Sequence, residues 1–194
     1  MDIKGKKIIL ASGSPRRKEL LAALDLEFTV DTGNTFEERY SPDTPHTKVP
    51  EVMSIGKSHG FHRPLEDDEI LVTSDTMVLC GEEIMGKPKD REDAVRMLKM
   101  LSDREHQVIT AVTIRSNARE KTFSDTAEVF FKKLTDEEIN YYIDTYRPFD
   151  KAGAYGIQEW IGYVGISRLE GSFFNVMGFP TQRFHEEFQE FLKD

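Results

Sequence analysis

Hydrophobic residues along this chain fall into two rhythms. Continuous or alternating apolar stretches predict strands at residues 7–11 (KIILA), 28–32, 69–79 (EILVTSDTMVL), 107–114, 122–131 and 163–169. Apolar positions spaced three and four apart predict helices. One runs over 16–24 with Leu20, Leu21 and Leu24 on a face, and others over 49–61, 135–146, 171–178 and 180–192. Another begins at Asp90, with Val95, Met97, Leu98 and Leu101 on its apolar side. The starts carry chemical signals. Ser14 precedes Pro15, a residue suited to a first helical position, and Thr135 with Glu138 makes a capping box. Asp90 with Asp93 resembles such a box. Cys80-Gly81-Glu82 turns the 69–79 strand back into a hairpin. Two stretches read as irregular: a polar arm over 32–50, rich in Pro and Asp, and a glycine-spaced loop over 153–165. Strands and helices mix throughout, so the expected class is α/β with a mixed sheet. No repeat or flexible linker divides the chain, and residues 1–194 are expected to form a single domain.

Composition narrows the possible functions. The 194 residues suffice for one sizeable core. No apolar run approaches a membrane span, and the apolar part of MDIKGKKIILASGS is too short for a secretory signal, so a cytoplasmic location is expected. Cys80 is the only cysteine, which excludes an intrachain disulfide and a thiolate metal cage. A net charge of −9 argues against a general nucleic-acid binder. It leaves room for an anion site where cations are gathered locally.

The clearest gathering is LASGSPRRKELL, residues 10–21. A strand, a glycine turn and a helix start bring backbone N–H groups and the positive end of the helix dipole together. Arg16 and Arg17 add forked donors suited to phosphate. Two solvated arginines are the plain alternative; the Ser-Gly-Ser-Pro context favours an anion. The P-loop spacing is absent. Ser12 and Ser14 suit capping or phosphate contact better than nucleophilic attack, since no histidine adjoins them in sequence.

Asp75 interrupts a strand that otherwise reads as apolar. It is either a bulge or edge residue or a carboxylate projected as a metal ligand or general base. Glu38, in FEERY on the polar arm, is a second candidate carboxylate, otherwise one solvated charge among many. Lys57 and Lys87 are isolated cations, Lys87 held between Gly86 and Pro88; either is a phosphate contact or a surface charge. Gln158 ends the glycine-spaced stretch KAGAYGIQ with an amide able to donate to and accept from a base edge, or simply exposed. His59 and His62 lack a third metal-ligand partner and read as surface residues. Phe173, Phe174, Met177 and Phe179 read as core.

Taken together, LASGSPRRKELL, FEERY, the Lys57 helix, SDTMV, GEEIMGKP, QVITAV, DKAGAYGIQ and GSFFNVMGFP resemble the Maf family of nucleoside triphosphate pyrophosphatases. The AGAYGIQ version is similar to the subgroup acting on dTTP and UTP. The resemblance implies an α/β fold with a long mixed sheet and two lobes around a cleft, similar to inosine triphosphate pyrophosphatases. It implies hydrolysis of a pyrimidine nucleoside triphosphate to monophosphate and pyrophosphate with a divalent cation, Mg²⁺ or Mn²⁺. On it, Asp75 is the proton acceptor, and Glu38 joins Asp75 in holding the metal. Ser12, Arg16, Lys57 and Lys87 face phosphates, while Arg17, Thr76 and Gln158 shape the base end. Neither nucleic acid nor membrane is an implied partner, and a homodimer is compatible with the family. Two departures stand out: Ile-Gly-Lys57-Ser replaces the family's usual acidic residue and Lys-Ala pair, and Glu37 sits beside Glu38, so the sequence leaves both glutamates open as metal ligands. The competing class is a nucleotide-binding regulator of cell division without significant catalysis.

Overall fold

The computed structural model describes residues 3–193. A seven-stranded mixed sheet runs in the order β2-β1-β3-β5-β6-β7, with β4 paired to β3. The strands are β1 (Lys7–Leu10), β2 (Phe28–Val30), β3 (Glu69–Cys80), β4 (Glu83–Met85), β5 (Glu105–Arg115), β6 (Glu120–Phe131) and β7 (Ile166–Glu170). β1 is parallel to β2 and β3, whereas β4 and β7 are antiparallel to their neighbours. The helices are α1 (Pro15–Ala22), α2 (Val49–His59), α3 (Arg91–Leu101), α4 (Asp136–Tyr146), α5 (Trp160–Gly165), α6 (Phe173–Met177) and α7 (Thr181–Phe191). The expected α/β class with a mixed sheet is therefore correct. Among the described residues no helix is long and apolar enough to cross a membrane.

The chain divides into two compact units. Unit 1 comprises the residues up to Asp75, Thr110–Asp125 and those from Gly178 onward; unit 2 comprises Thr76–Ile109 and Thr126–Met177.

In unit 1, Leu20 and Leu21 give α1 its buried face. Ile9 and Leu71 of neighbouring strands pack with Phe61 and Leu65. The helix α7 buries Phe184 and Phe188, whose rings stack 5.2 Å apart, and Phe179 meets Phe184 at 4.9 Å. Each fully buried aromatic ring of this kind stabilises by roughly 1.5–3 kcal/mol.

In unit 2, α3 buries Ala94, Met97, Leu98 and Leu101, and α4 buries Ile139, Tyr142 and Ile143. Arg91 ties the two helices through a two-pronged pair with Asp144, at 2.8 and 2.9 Å. The capping box at Thr135 and Glu138 forms in full.

Two expectations fail here. Part of the glycine-spaced loop is helical: α5 occupies Trp160–Gly165. Gly162 makes this possible, because a Cβ there would lie 1.8 Å from the Ile157 carbonyl oxygen. Phe173 and Phe174 are also not core, being 39% and 47% exposed. The short helix α6 instead turns Asn175 inward, where its Nδ2 donates to the Val108 carbonyl at 3.0 Å. Satisfying that buried carbonyl fixes the helix face, and the two rings are left outside.

Candidate active site

β1 pairs with β3 only as far as Leu10 opposite Val72, after which the chain leaves the sheet into the Ser12–Ser14 turn. Beyond that point no β1 strand residue lies opposite Ser74 of β3 to donate an N–H to its carbonyl. Arg17 supplies the missing donor: its Nη1 reaches the Ser74 carbonyl at 2.9 Å. The same nitrogen meets Ser12 Oγ at 3.3 Å, and Nε donates to the Gly178 carbonyl at 3.0 Å. Ser12 Oγ also accepts the Ser14 N–H at 3.3 Å. Ser14 caps α1, accepting the Arg17 N–H at 3.5 Å. Desolvation lowers the Arg17 pKa, while the negative charges of Asp75 and Glu38 oppose that fall and Arg16 adds to it. Arg17 is turned onto the protein's own carbonyls, so the anion inferred from the pair is not needed to explain it. Arg16 stands beside it at the helix start.

β3 is buried at every position except Asp75 and Thr76. Asp75 is the interruption foreseen in the sequence, and its carboxylate receives a specific partner. Lys57 Nζ lies 2.6 Å from Asp75 Oδ1 and 2.9 Å from Glu38 Oε1. The lysine and Asp75 side chains are about a fifth exposed, at 21% and 19%, whereas Glu38 is open to solvent at 65%. Two carboxylates from distant segments therefore converge on one cation. Glu37 turns instead to Arg39, 2.8 Å distant, so of the adjacent glutamates it is Glu38 that pairs with Lys57.

The geometry of this triad depends on residues that the sequence did not single out. Ser54 lies one turn before Lys57 on α2, fully buried. Its Oγ bonds Thr113 Oγ1 at 2.9 Å, and Thr73 Oγ1 donates to the Ser54 carbonyl at 2.8 Å. Thr73 and Asp75 share a face of β3 by strand alternation, so this contact sets Lys57 opposite Asp75. Arg115 clamps the next residue, donating to Ser58 Oγ at 2.8 Å and to its carbonyl at 2.6 Å.

The arm carrying Glu38 is tied to the same helix. Asn34 Nδ2 donates to the Lys57 carbonyl at 2.6 Å, and Asn34 Oδ1 accepts the Phe36 N–H at 2.7 Å. The first contact satisfies one of the terminal helix carbonyls and the second closes an Asx-type turn. The tip of the Phe36 ring packs on Gly56, where a Cβ would lie 2.2 Å from the ring. The glycine in Ile-Gly-Lys57-Ser is what lets the arm lie against α2. His59 and His62 are paired with Glu120 at 2.7 Å and Asp31 at 2.9 Å, on the surface as expected.

Unit 2 holds the other three candidates. Thr76 follows Asp75 directly on β3 and is half-buried. Lys87 is exposed in the turn after β4. That turn is joined to the glycine loop, since the Gly153 N–H donates to the Gly86 carbonyl at 3.1 Å. Gly153 has φ +69°, with Val78 3.1 Å from where a Cβ would be. Gln158 is half-buried, and its Oε1 is buried without a hydrogen-bond partner.

Among the described residues no three His, Cys, Asp or Glu side chains gather as a metal cluster. Asp75 and Glu38 are two carboxylates from distant segments that reach one cation, the Lys57 ammonium. Residues 7–191 match the Maf-like protein family. The chain belongs to the Maf-like family. Similar Maf-like proteins include the dTTP/UTP pyrophosphatase of Parabacteroides distasonis, 46% identical over 98% of both chains. The dTTP/UTP pyrophosphatase of Porphyromonas gingivalis (strain W83) is 46% identical over 98% of this chain and 96% of its own. That of Flavobacterium johnsoniae is 45% identical over 95% and 94%. Among solved structures, that of a HAM1 protein from Coxiella burnetii covers 95% of this chain and 99% of its own, at 12% identity and a TM-score of 0.48. The α/β assignment of this Maf-like chain rests on its own sheet and not on that score.

Proposed function

We propose that this Maf-like protein hydrolyses dTTP and UTP to the nucleoside monophosphate and pyrophosphate. The observation that carries the reading is the convergence of Asp75 and Glu38 on Lys57, on a chain about 45% identical over nearly its whole length to proteins named for this activity. The family match spans both units, and residues 1–194 are taken as a single Maf-like domain.

In the proposed reaction Asp75 is the proton acceptor. Water attacks the α-phosphorus, the bond from that phosphorus to the bridging oxygen breaks, and pyrophosphate leaves with the electron pair. The water proton passes to the Asp75 carboxylate. Such a transfer depends on positioning and charge neutralisation more than on covalent help. Ser12, Arg16, Lys57 and Lys87 are assigned to the phosphates. Arg17 and Thr76 are assigned to the base end, with Arg17 also bracing Ser12 and the Ser74 carbonyl.

Asp75 and Glu38 would hold a divalent ion. Two hard oxygen donors aimed at one cation, one of them well exposed, suit Mg²⁺ or Mn²⁺ completed by phosphate and water. When bound, the ion neutralises phosphate oxygens and the leaving pyrophosphate.

Gln158 is assigned to reading the base. Thymine and uracil present an N3–H donor between carbonyl acceptors, and cytosine presents an N3 acceptor. An amide oxygen without a protein partner, set opposite N3, accepts from the N3–H of thymine or uracil and meets only a lone pair at N3 of cytosine. A binding regulator without catalysis would need no converging carboxylates, and nothing in the site favours that reading.

The test is a panel of nucleoside triphosphates with pyrophosphate detection, with and without chelator. Release of pyrophosphate from dTTP and UTP, abolished by chelator, is expected. Inert dTTP and UTP in the presence of Mg²⁺ and Mn²⁺ would remove the reading.

A further inference from the structure

Unit 2 contains a buried charged cluster with no part in the chemistry described above. Lys151 is 10% exposed and pairs with Glu159 at 3.0 Å and with Asp150 at 2.7 Å. The second oxygen of Glu159 accepts a short hydrogen bond from the Tyr142 hydroxyl. The same hydroxyl accepts the Gly156 N–H at 3.0 Å. A chain of contacts thus runs from the floor of the loop at Gly156, through Tyr142 of α4 and Glu159, to Lys151. Its two ends close off residues 151–159, the segment that carries Gln158.

Two features connect this chain to Gln158 in particular. Gly156 leaves no spare volume: a Cβ there would lie 3.0 Å from Glu159 Cδ, 3.0 Å from Lys151 Cε and 3.2 Å from Gln158 Nε2. The Gln158 amide therefore lies over the same glycine that the clamp grips. Its oxygen is buried and without a hydrogen-bond partner, a costly state that relaxes if the loop can shift. A rigid frame is what prevents it. Burying Lys151, Glu159 and the Tyr142 hydroxyl together carries its own desolvation penalty, and stability alone is a poor explanation for such a group.

We propose that the Tyr142–Glu159–Lys151 clamp is the positioning device for base selectivity: it fixes the segment that presents the Gln158 amide, whose oxygen has no protein partner, to the N–H of a thymine or uracil ring. The inference rests on the reading that Gln158 contacts the base. Tyr142 and Glu159 are positioning residues and touch no substrate.

A double-mutant cycle tests it, with Tyr142→Phe, Gln158→Ala and both together, each assayed against dTTP, UTP and CTP. Tyr142→Phe keeps the ring in the core and removes only the hydroxyl. Its KM for dTTP should rise about tenfold with kcat within about threefold, and the preference for dTTP over CTP should fall by a similar factor. In the Gln158→Ala background the same change should add nothing to KM or to the preference. Additive effects in the two backgrounds, or an equal loss of kcat on all three nucleotides, would reduce the clamp to a structural element and overturn the proposal. If Tyr142→Phe does not fold, Glu159→Gln keeps the shape, removes the charge facing Lys151 and completes the cycle with the same expectations. Unchanged selectivity in Gln158→Ala alone would instead sink the base-reading role of Gln158. An inactive wild type would sink the proposed function, so the three failures are separable.

Discussion

Lys57 Nζ sits 2.6 Å from Asp75 Oδ1, so the residue proposed as base is held by a lysine from another element, and that lysine reaches Glu38 as well at 2.9 Å. The ammonium does two things. It keeps two like charges from repelling each other, and it marks the point at which both carboxylates aim.

Removing that cation should therefore cost activity. Lys57→Met is expected to lower kcat/KM for dTTP by about 10²-fold, in line with the loss of a charge-stabilising donor at a phosphoryl site. Steady-state kinetics with pyrophosphate detection checks it. Activity within about threefold of wild type would place Lys57 outside the phosphate site.

Gly56 should be intolerant of any side chain. A Cβ would meet the Phe36 ring at 2.2 Å, so Gly56→Ala must move the ring and with it the arm bearing Glu38. A better helix former at a helix position would by itself stabilise by up to about 1 kcal/mol. The opposite is expected: a lower melting temperature and a kcat reduced about tenfold or more. A more stable and fully active Gly56→Ala protein would contradict the packing described.

Arg17→Lys is expected to be a poor replacement. A guanidinium supplies Nε to Gly178 and Nη1 to Ser74 and Ser12, and an ammonium cannot span those acceptors. Leaving one buried carbonyl unmet costs about 1–3 kcal/mol. Urea unfolding should show a midpoint lowered accordingly, and an unchanged midpoint would mean that the contacts are incidental.

His106 gives a pH signature. Its Nε2 lies 2.7 Å from the Tyr155 hydroxyl, and burial pulls its pKa from 6.5 down to about 3. Between those values the unfolded chain binds a proton that the folded one does not. Stability is then fully present above pH 6.5 and falls with acidification, by up to about 1.4 kcal/mol per pH unit until near pH 3. His106→Gln should flatten that part of the profile. Urea midpoints at pH 7 and pH 5 for both proteins decide it; equal slopes would show that His106 is not the group responsible.

Much of this arrangement was legible before any coordinates. Apolar runs located β1 and β3 because buried strands need little else, and Asp75 stood out because aspartate is disfavoured inside such a run, although the run alone left a bulge or edge role open beside a functional one. Ser14 and Pro15 marked the start of α1 through local capping chemistry, which short sequence windows contain. What escaped notice depends on tertiary partners. Nothing local says that Gly56 exists to admit Phe36, or that Arg17 replaces a strand that ends too soon. Likewise Phe173 and Phe174 look like core by composition, and they face outward because Asn175 must reach the Val108 carbonyl. The choice between Glu37 and Glu38 was open for the same reason: adjacent residues on an extended arm point to opposite sides, and only the tie of that arm to α2 decides which one turns to Lys57.

The most direct measurement is pyrophosphate release from dTTP with Mg²⁺, wild type against Asp75→Asn, with the fold of both verified by circular dichroism. The account predicts a folded variant whose kcat falls by at least about 10²–10³-fold, the scale of losing a general base. A folded Asp75→Asn enzyme with near wild-type turnover would contradict it.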